Sequence, residues 1–137
     1  MGHGIDFGEE LAVNHRRIRQ AAAAAPGRPG RLCAELREHA RLMRRHVLPA
    51  LATNVDGGAQ IAAADETLLD RIESEVAEED ACAGPQLAPL LDQIEVQLHW
   101  EDRVLLPLLE AETTWIVLED LAEHARLARR RSTCEPA

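Results

Sequence analysis

Residues 103–109 read RVLLPLL and residues 45–51 read RHVLPAL, so the chain repeats one short unit that aligns on Pro107 and Pro49. Both copies lie in segments of about twenty residues, which are too long for strands and poor in β-branched and aromatic residues. A proline inside a helix removes one backbone hydrogen bond and kinks the helix at a cost of ~3 kcal/mol. Two prolines at matching positions therefore predict two copies of one kinked helical unit.

The sequence predicts helices along the rest of the chain as well. Glycine, proline or polar residues interrupt it at four places, namely residues 25–30, 54–58, 82–85 and 110–114. We expect five helices between these breaks. Asp6 is a candidate N-cap for the first helix, with Glu9 completing a capping box, and Thr113 or Thr114 is a candidate N-cap for the last helix.

Within each predicted helix, apolar residues recur at steps of three and four, which places them on one stripe. Five such helices on short loops predict an all-α fold, an antiparallel four-helix bundle with an additional C-terminal helix. A chain of 137 residues has room for one ordinary domain and not for two. We therefore expect a single domain over residues 1–137.

The charge and hydropathy of the chain argue against several classes of function. Its 15 basic and 24 acidic residues give a net charge of −9, which repels nucleic acid and anionic membranes. No apolar run approaches the ~18 residues needed to span a bilayer. The N-terminal sequence MGHGID lacks the basic and apolar segments of a secretory signal. We expect a cytoplasmic protein with no nucleic-acid or membrane partner.

Several polar residues lie on the apolar stripes, where an ordinary core has no need of them. They are His15, His39, His46, Glu101 and His124. A single histidine at such a position is more often a hydrogen-bonded core residue than a ligand, but four histidines with one carboxylate favour a site. Because an unpaired buried carboxylate costs several kcal/mol, Glu101 requires a proton, histidines or a metal ion beside it.

The chain resembles the hemerythrin-like (HHE cation-binding) family over nearly its whole length. In that family a four-helix bundle holds two bridged irons, and its second and fourth helices each carry His-x-x-x-Glu followed six residues later by proline. The resemblance implies that Glu101, six residues before Pro107, is the fourth-helix carboxylate. It also implies that His39, ten residues before Pro49, is the second-helix histidine and that His15 is the first-helix ligand.

The chain departs from the family at the other ligand positions. Met43 stands in place of the second-helix glutamate, and Gln97 stands in place of the fourth-helix histidine. No histidine lies between residues 47 and 98, which leaves Asp65 or Glu66 as polar substitutes on the third helix. These losses leave too few ligands for two ions. Met43 or Gln97 would then shape the open side of an altered cofactor site.

One further histidine, His99, is not expected to be a ligand. It lies two residues beyond Gln97, which places it about 200° around the helix and on another face. We expect its side chain to face solvent or a neighbouring helix.

Our leading hypothesis is one non-haem iron in the bundle interior, held by His15, His39 and Glu101 with help from His46 or His124. Two histidines and one carboxylate are the ligand set of many mononuclear non-haem iron sites, which keep positions open for dioxygen or substrate. The expected activity is redox or oxygen-related chemistry on a small molecule.

Two alternatives stay open at this point. A haem could lie in the same bundle, with His39, His46 or His124 as its axial ligand. Alternatively, the bundle holds no metal and serves as a ligand-binding or protein-binding module, with Glu101 protonated or paired with a buried arginine or histidine. A homodimer that supplies missing ligands is also left open.

Overall fold

The structure is a computed structural model that describes residues 6–76 and 84–134. Five long helices make up most of this part of the chain: α1, Phe7–Ala24; α2, residues 29–54; α3, Gly58–Val76; α4, residues 87–112; and α5, Trp115–Cys134. A short 3-10 turn, Gly84–Gln86, precedes α4. No strand occurs in the described residues, and the expected all-α class is confirmed.

Two sequence expectations involve residues that the structure does not describe. Residues 1–5, on which the expectation about a secretory signal depends, lie outside the described part of the chain, and so do residues 82 and 83 of the third break. Within residues 6–76 and 84–134, no helix combines the length and the apolar character needed to cross a bilayer.

Side-chain caps form at two helix starts. Asp6 accepts a hydrogen bond from the backbone N–H of Glu9 at 3.3 Å, as the sequence predicts. The hydroxyl of Thr114 accepts from the backbone N–H of Val117 at 3.4 Å. Thr113 instead donates its hydroxyl to a backbone carbonyl at the end of α4. Of the two candidates, Thr114 therefore caps α5.

The helices pack against each other through short connections. α1 contacts α2 and α5, α2 also contacts α5, and α3 packs against the end of α2 and against α4. The turn between α2 and α3 needs glycine twice. Gly57 has a φ of 72°, which L side chains rarely adopt. A Cβ at Gly58 would overlap the carbonyl oxygen of Leu51, so only glycine permits this close approach of α3 to α2.

The buried core consists of two apolar clusters with a polar layer between them. One cluster contains Leu11 and Leu105, and the other contains Ile18 and Leu98. Between these pairs, α1 and α4 each place one fully buried polar side chain. These residues are His15 and Glu101. His15 and Glu101 of the predicted stripes thus lie in a layer that apolar side chains close on both sides.

Both proline-containing helices widen into a π-helical turn just before the proline. α2 contains the π turn Met43–Val47, and α4 contains the π turn Glu101–Leu105. In each helix the residue after the π turn donates its N–H to the carbonyl five residues back, and Pro49 or Pro107 follows at once. The wider turn gives the proline ring space beside the preceding backbone. The internal repeat is therefore a repeat of structure as well as of sequence.

Each π turn connects two buried residues that are four positions apart, Met43 and Val47 in α2 and Glu101 and Leu105 in α4. Buried residues also follow at steps of four after each π turn, as Leu51 in α2, Val55 just beyond its end, and Leu109 in α4. In an α-helix of 3.6 residues per turn, each such step rotates the side chain by about 40°, so the stripe would drift away from the core. A π turn takes more residues per turn and restores the alignment.

We predict that Leu105→Ala destabilises the protein by about 2–5 kcal/mol, because it removes a fully buried side chain of the π turn in α4. Val104→Ala is the matched control, since the π turn leaves Val104 38% exposed, and it should change the free energy of unfolding by less than about 0.5 kcal/mol. Urea unfolding measures both. Equal losses would show that both side chains face the core, as in a regular α-helix.

Candidate metal centre

Three buried side chains from three helices meet at one point of the polar layer. His15 comes from α1, His39 from α2, and Glu101 is the first residue of the π turn in α4. The Nε2 atoms of the two histidines both lie 2.9 Å from Oε1 of Glu101. One ligand atom from each of the three residues lies within 4.8 Å of the other two. This group can hold a metal ion.

The donor types and their spacing suit a divalent transition metal. Imidazole nitrogens bind such ions at about 2.1 Å, so neighbouring ligands around one ion lie about 3.0–3.4 Å apart. The observed separations of 2.9 Å between each Nε2 and Oε1 are close to that edge length. An ion would therefore require only small adjustments of side chains that already converge.

Asp102 holds the first of these histidines from the other side of its ring. Nδ1 of His15 lies 2.9 Å from Oδ1 of Asp102, while Nε2 of the same ring faces Glu101. Metal-binding histidines usually donate their second N–H to a carboxylate, which fixes the ring and leaves the other nitrogen for the ion. The sequence analysis did not name Asp102 as a site residue. The signal that could have indicated it is its position, since it is an acidic residue next to the predicted ligand Glu101.

Gln97 and Asp65 complete the surroundings of the carboxylate. The amide of Gln97 donates to Oε2 of Glu101 at 3.0 Å and lies 3.5 Å from Oδ1 of Asp65. Asp65 is fully buried, and its Oδ2 has no hydrogen-bond partner among the described residues. Glu66, the other candidate on α3, instead pairs with Arg44. Of the two polar substitutes considered for the third helix, Asp65 is the one beside the centre.

Burial and nearby charges shift the pKa values of His15, Glu101 and Asp65 in different directions. Burial lowers the pKa of His15, but hydrogen bonds to Asp102 and Glu101 outweigh it and raise that pKa to about 9. Burial alone would raise the pKa of Glu101, yet the positive field of His39 and His15 holds it well below its usual range. Burial and the charge of Glu101 raise the pKa of Asp65 to about 9. At neutral pH the group contains an ionised Glu101, a cationic His15 and a neutral Asp65.

The remaining histidines of the predicted set lie elsewhere. His46 and His124 stack on each other with ring centroids 3.5 Å apart and planes inclined by 10°. Both are partly exposed, and neither belongs to the group around Glu101. His46 lies within the π turn of α2 and stacks on His124 of α5, so it does not continue the line from His39. His99 is exposed, as expected.

Met43, the other candidate for the cofactor pocket, is fully buried in the apolar cluster that contains Leu11 and Leu105. It lies one turn beyond His39, at the start of the π turn of α2. Its position is thus next to the polar layer, and its surroundings are those of a core residue.

Comparison of the chain with protein-family models, with curated proteins and with solved structures found no match. The resemblance to the hemerythrin-like family therefore stays a prediction that depends on the residues named above.

We predict that the metal-free protein loses stability as the pH rises from about 5 to about 9. The folded state keeps protons on His15 and Asp65 up to about pH 9, whereas the unfolded chain releases them at the ordinary pKa values of 6.5 and 3.8. A group whose pKa is raised on folding stabilises the fold most at low pH, and this stabilisation declines until the pH passes the folded pKa.

Asp65→Asn separates the contribution of Asp65 to the pH dependence of stability from that of His15, because the amide cannot ionise. The variant should lose less stability than the wild type over the same pH range, as measured by urea unfolding at several pH values. If the two proteins lost stability equally, Asp65 would not be a proton-holding acid in the folded state.

Proposed function

We propose that the chain is a hemerythrin-like four-helix bundle with an additional C-terminal helix, and that it holds a single non-haem iron on His15, His39 and Glu101. The observation that supports this proposal is the convergence of both Nε2 atoms on one oxygen of Glu101 inside a water-excluded layer. Two histidines and one carboxylate form the donor set of many mononuclear non-haem iron proteins.

The residues of the centre have distinct roles in this proposal. Glu101 supplies the negative charge that compensates the ion, and Gln97 keeps the carboxylate in place through Oε2. Asp102 retains the Nδ1 proton of His15 and so leaves Nε2 free as a ligand. Because His15 is protonated in the metal-free state, binding of an ion releases its Nε2 proton, and affinity increases with pH.

A single iron on such a ligand set supplies redox chemistry with open positions for dioxygen and a small molecule. The apolar clusters on both sides keep bulk water from the polar layer, which strengthens the interactions of its charged groups. We propose a small-molecule or oxygen-related oxidoreductase in the cytoplasm, with no nucleic-acid partner. The net charge of −9 supports the last point.

A second candidate is a metal-free bundle that serves as a binding module. One observation favours it: Nε2 of His15, Nε2 of His39 and the amide of Gln97 all lie within hydrogen-bonding distance of Glu101, so protein groups can compensate its charge. Haem bound through His39, His46 or His124 is the third candidate. A Soret band in the absorption spectrum of freshly purified protein would identify haem, and its absence together with bound iron would support the proposal.

Protein purified without chelator and then loaded with Fe(II) under anaerobic conditions should contain about one iron per chain. His39→Ala should abolish this binding, because it removes one of the three ligands. His99→Ala is the matched control, since His99 is an exposed histidine outside the group, and it should bind iron like the wild type. Elemental analysis after gel filtration measures both.

Glu101→Gln, which keeps the shape of the side chain, provides a second test should His39→Ala fail to fold. It should also lose the iron. Retention of iron by Glu101→Gln, or its equal loss in His39→Ala and His99→Ala, would contradict the ligand assignment.

Asp102→Asn tests the orientation of His15. The amide can no longer hold the Nδ1 proton as a carboxylate does, so metal affinity should fall by about 10–100-fold while the ligands themselves stay. Competition with a chromophoric chelator gives the affinity. Unchanged affinity would mean that Asp102 is only a surface partner of the ring.

A further inference from the structure

A cavity of about 310 Å³ lies next to the polar layer, between α2, α3 and α4. Its volume is at the lower end of the range for small-molecule sites, which is about 300–1,000 Å³. Apolar cavities of about half this size take up a benzene molecule. The space therefore suits an organic molecule somewhat larger than benzene.

The inner wall of this cavity belongs to the candidate metal centre. His39 and Gln97 both line it, and both also contact Glu101. Nδ1 of His39 is buried and has no hydrogen-bond partner among the described residues. A buried polar atom without a partner is rare and costly. The cavity thus brings a ligand to two polar side chains, His39 and Gln97.

Most of the remaining wall is apolar. Leu36 lines one side from α2, and Leu69, Ile72 and Val76 line the other from α3. The charged residues on the wall are exposed, and Glu73 among them is paired with Arg44 at 2.5 Å. On this apolar part of the wall, a charged group of a ligand would lose hydration without gaining a polar partner.

Ion pairs at the solvent edge connect α3 to α2. Arg44, in the π turn of α2, contacts Glu66 and Asp70 at 2.6 Å each and Glu73 at 2.5 Å. These three carboxylates lie on one face of α3 at steps of four and three residues. The same two helices thus carry the apolar wall of the cavity and, at the solvent edge, these ion pairs.

We propose that this cavity binds the organic substrate of the centre, an uncharged and mostly apolar molecule with one polar end directed at His39 and Gln97. Medium-chain alcohols and simple phenols have this chemistry. The term substrate rests on the proposed function, whereas binding of such a molecule does not require the metal.

The test uses the full chain without metal and, as probes, 1-hexanol, phenol and the charged analogue hexanoate. Titration followed by heteronuclear NMR should show saturable shifts at Leu69 and Ile72 with hexanol or phenol, and much weaker effects with hexanoate. Ile72→Trp should weaken binding at least about tenfold, because the indole fills the cavity. Arg71→Trp, an exposed neighbour on α3 that does not line the cavity, should bind like the wild type.

Ile72→Ala keeps the proposal testable should the tryptophan variant fail to fold. It enlarges the cavity, so it should bind a larger phenol such as 2-naphthol more tightly than the wild type does. No binding of either neutral probe to the wild type, tighter binding of hexanoate, or equal binding by Ile72→Trp would overturn the proposal.

Iron content is measured on the same samples. Ile72→Trp that keeps iron but loses the probes would separate the cavity from the centre. Probe binding by a wild type that takes up no iron would support the cavity and reject the proposed function, so the two failures are distinguishable.

Discussion

The pairing of Glu101 with two imidazoles is the interaction on which the rest of the structure depends. Glu101 is fully buried, and an uncompensated carboxylate there would cost several kcal/mol. His15 from α1 and His39 from α2 compensate its charge at one oxygen, and Gln97 donates to the other. Since these residues belong to three helices, the charge of one side chain fixes how α1, α2 and α4 meet. An ion with the same ligands would fix them more firmly.

The two π turns connect this site to the fold. Glu101 is the first residue of one π turn, and Met43, one turn beyond His39, is the first residue of the other. π turns are rare and occur frequently at functional sites. In α4 the π turn keeps side chains that are four residues apart on the side of the helix that faces the core. Leu105 and Leu109, which follow Glu101 at such steps, are therefore buried. The apolar layer that excludes water from the centre thus depends on the same turn that presents its carboxylate.

Much of this could be predicted from the sequence, and the failures have physical reasons. The helices followed from periodicity and breakers, while His15, His39 and Glu101 followed from polar residues on apolar stripes. The π turns Met43–Val47 and Glu101–Leu105 are not part of the sequence prediction, because a proline inside a helix predicts a kink and not the type of turn before it. His46 and His124 occupy stripe positions like the others. A stripe position does not reveal which helix the side chain will contact. His46 and His124 stack on each other and do not reach Glu101.

X-ray absorption at the iron edge of the Fe(II)-loaded protein tests the central claim most directly. The account predicts scattering from two imidazole rings with nitrogens at about 2.1 Å, together with oxygen ligands and no sulfur. A spectrum with oxygen ligands alone would place the iron at surface carboxylates and contradict the account, as would sulfur from Met43 in the first coordination sphere.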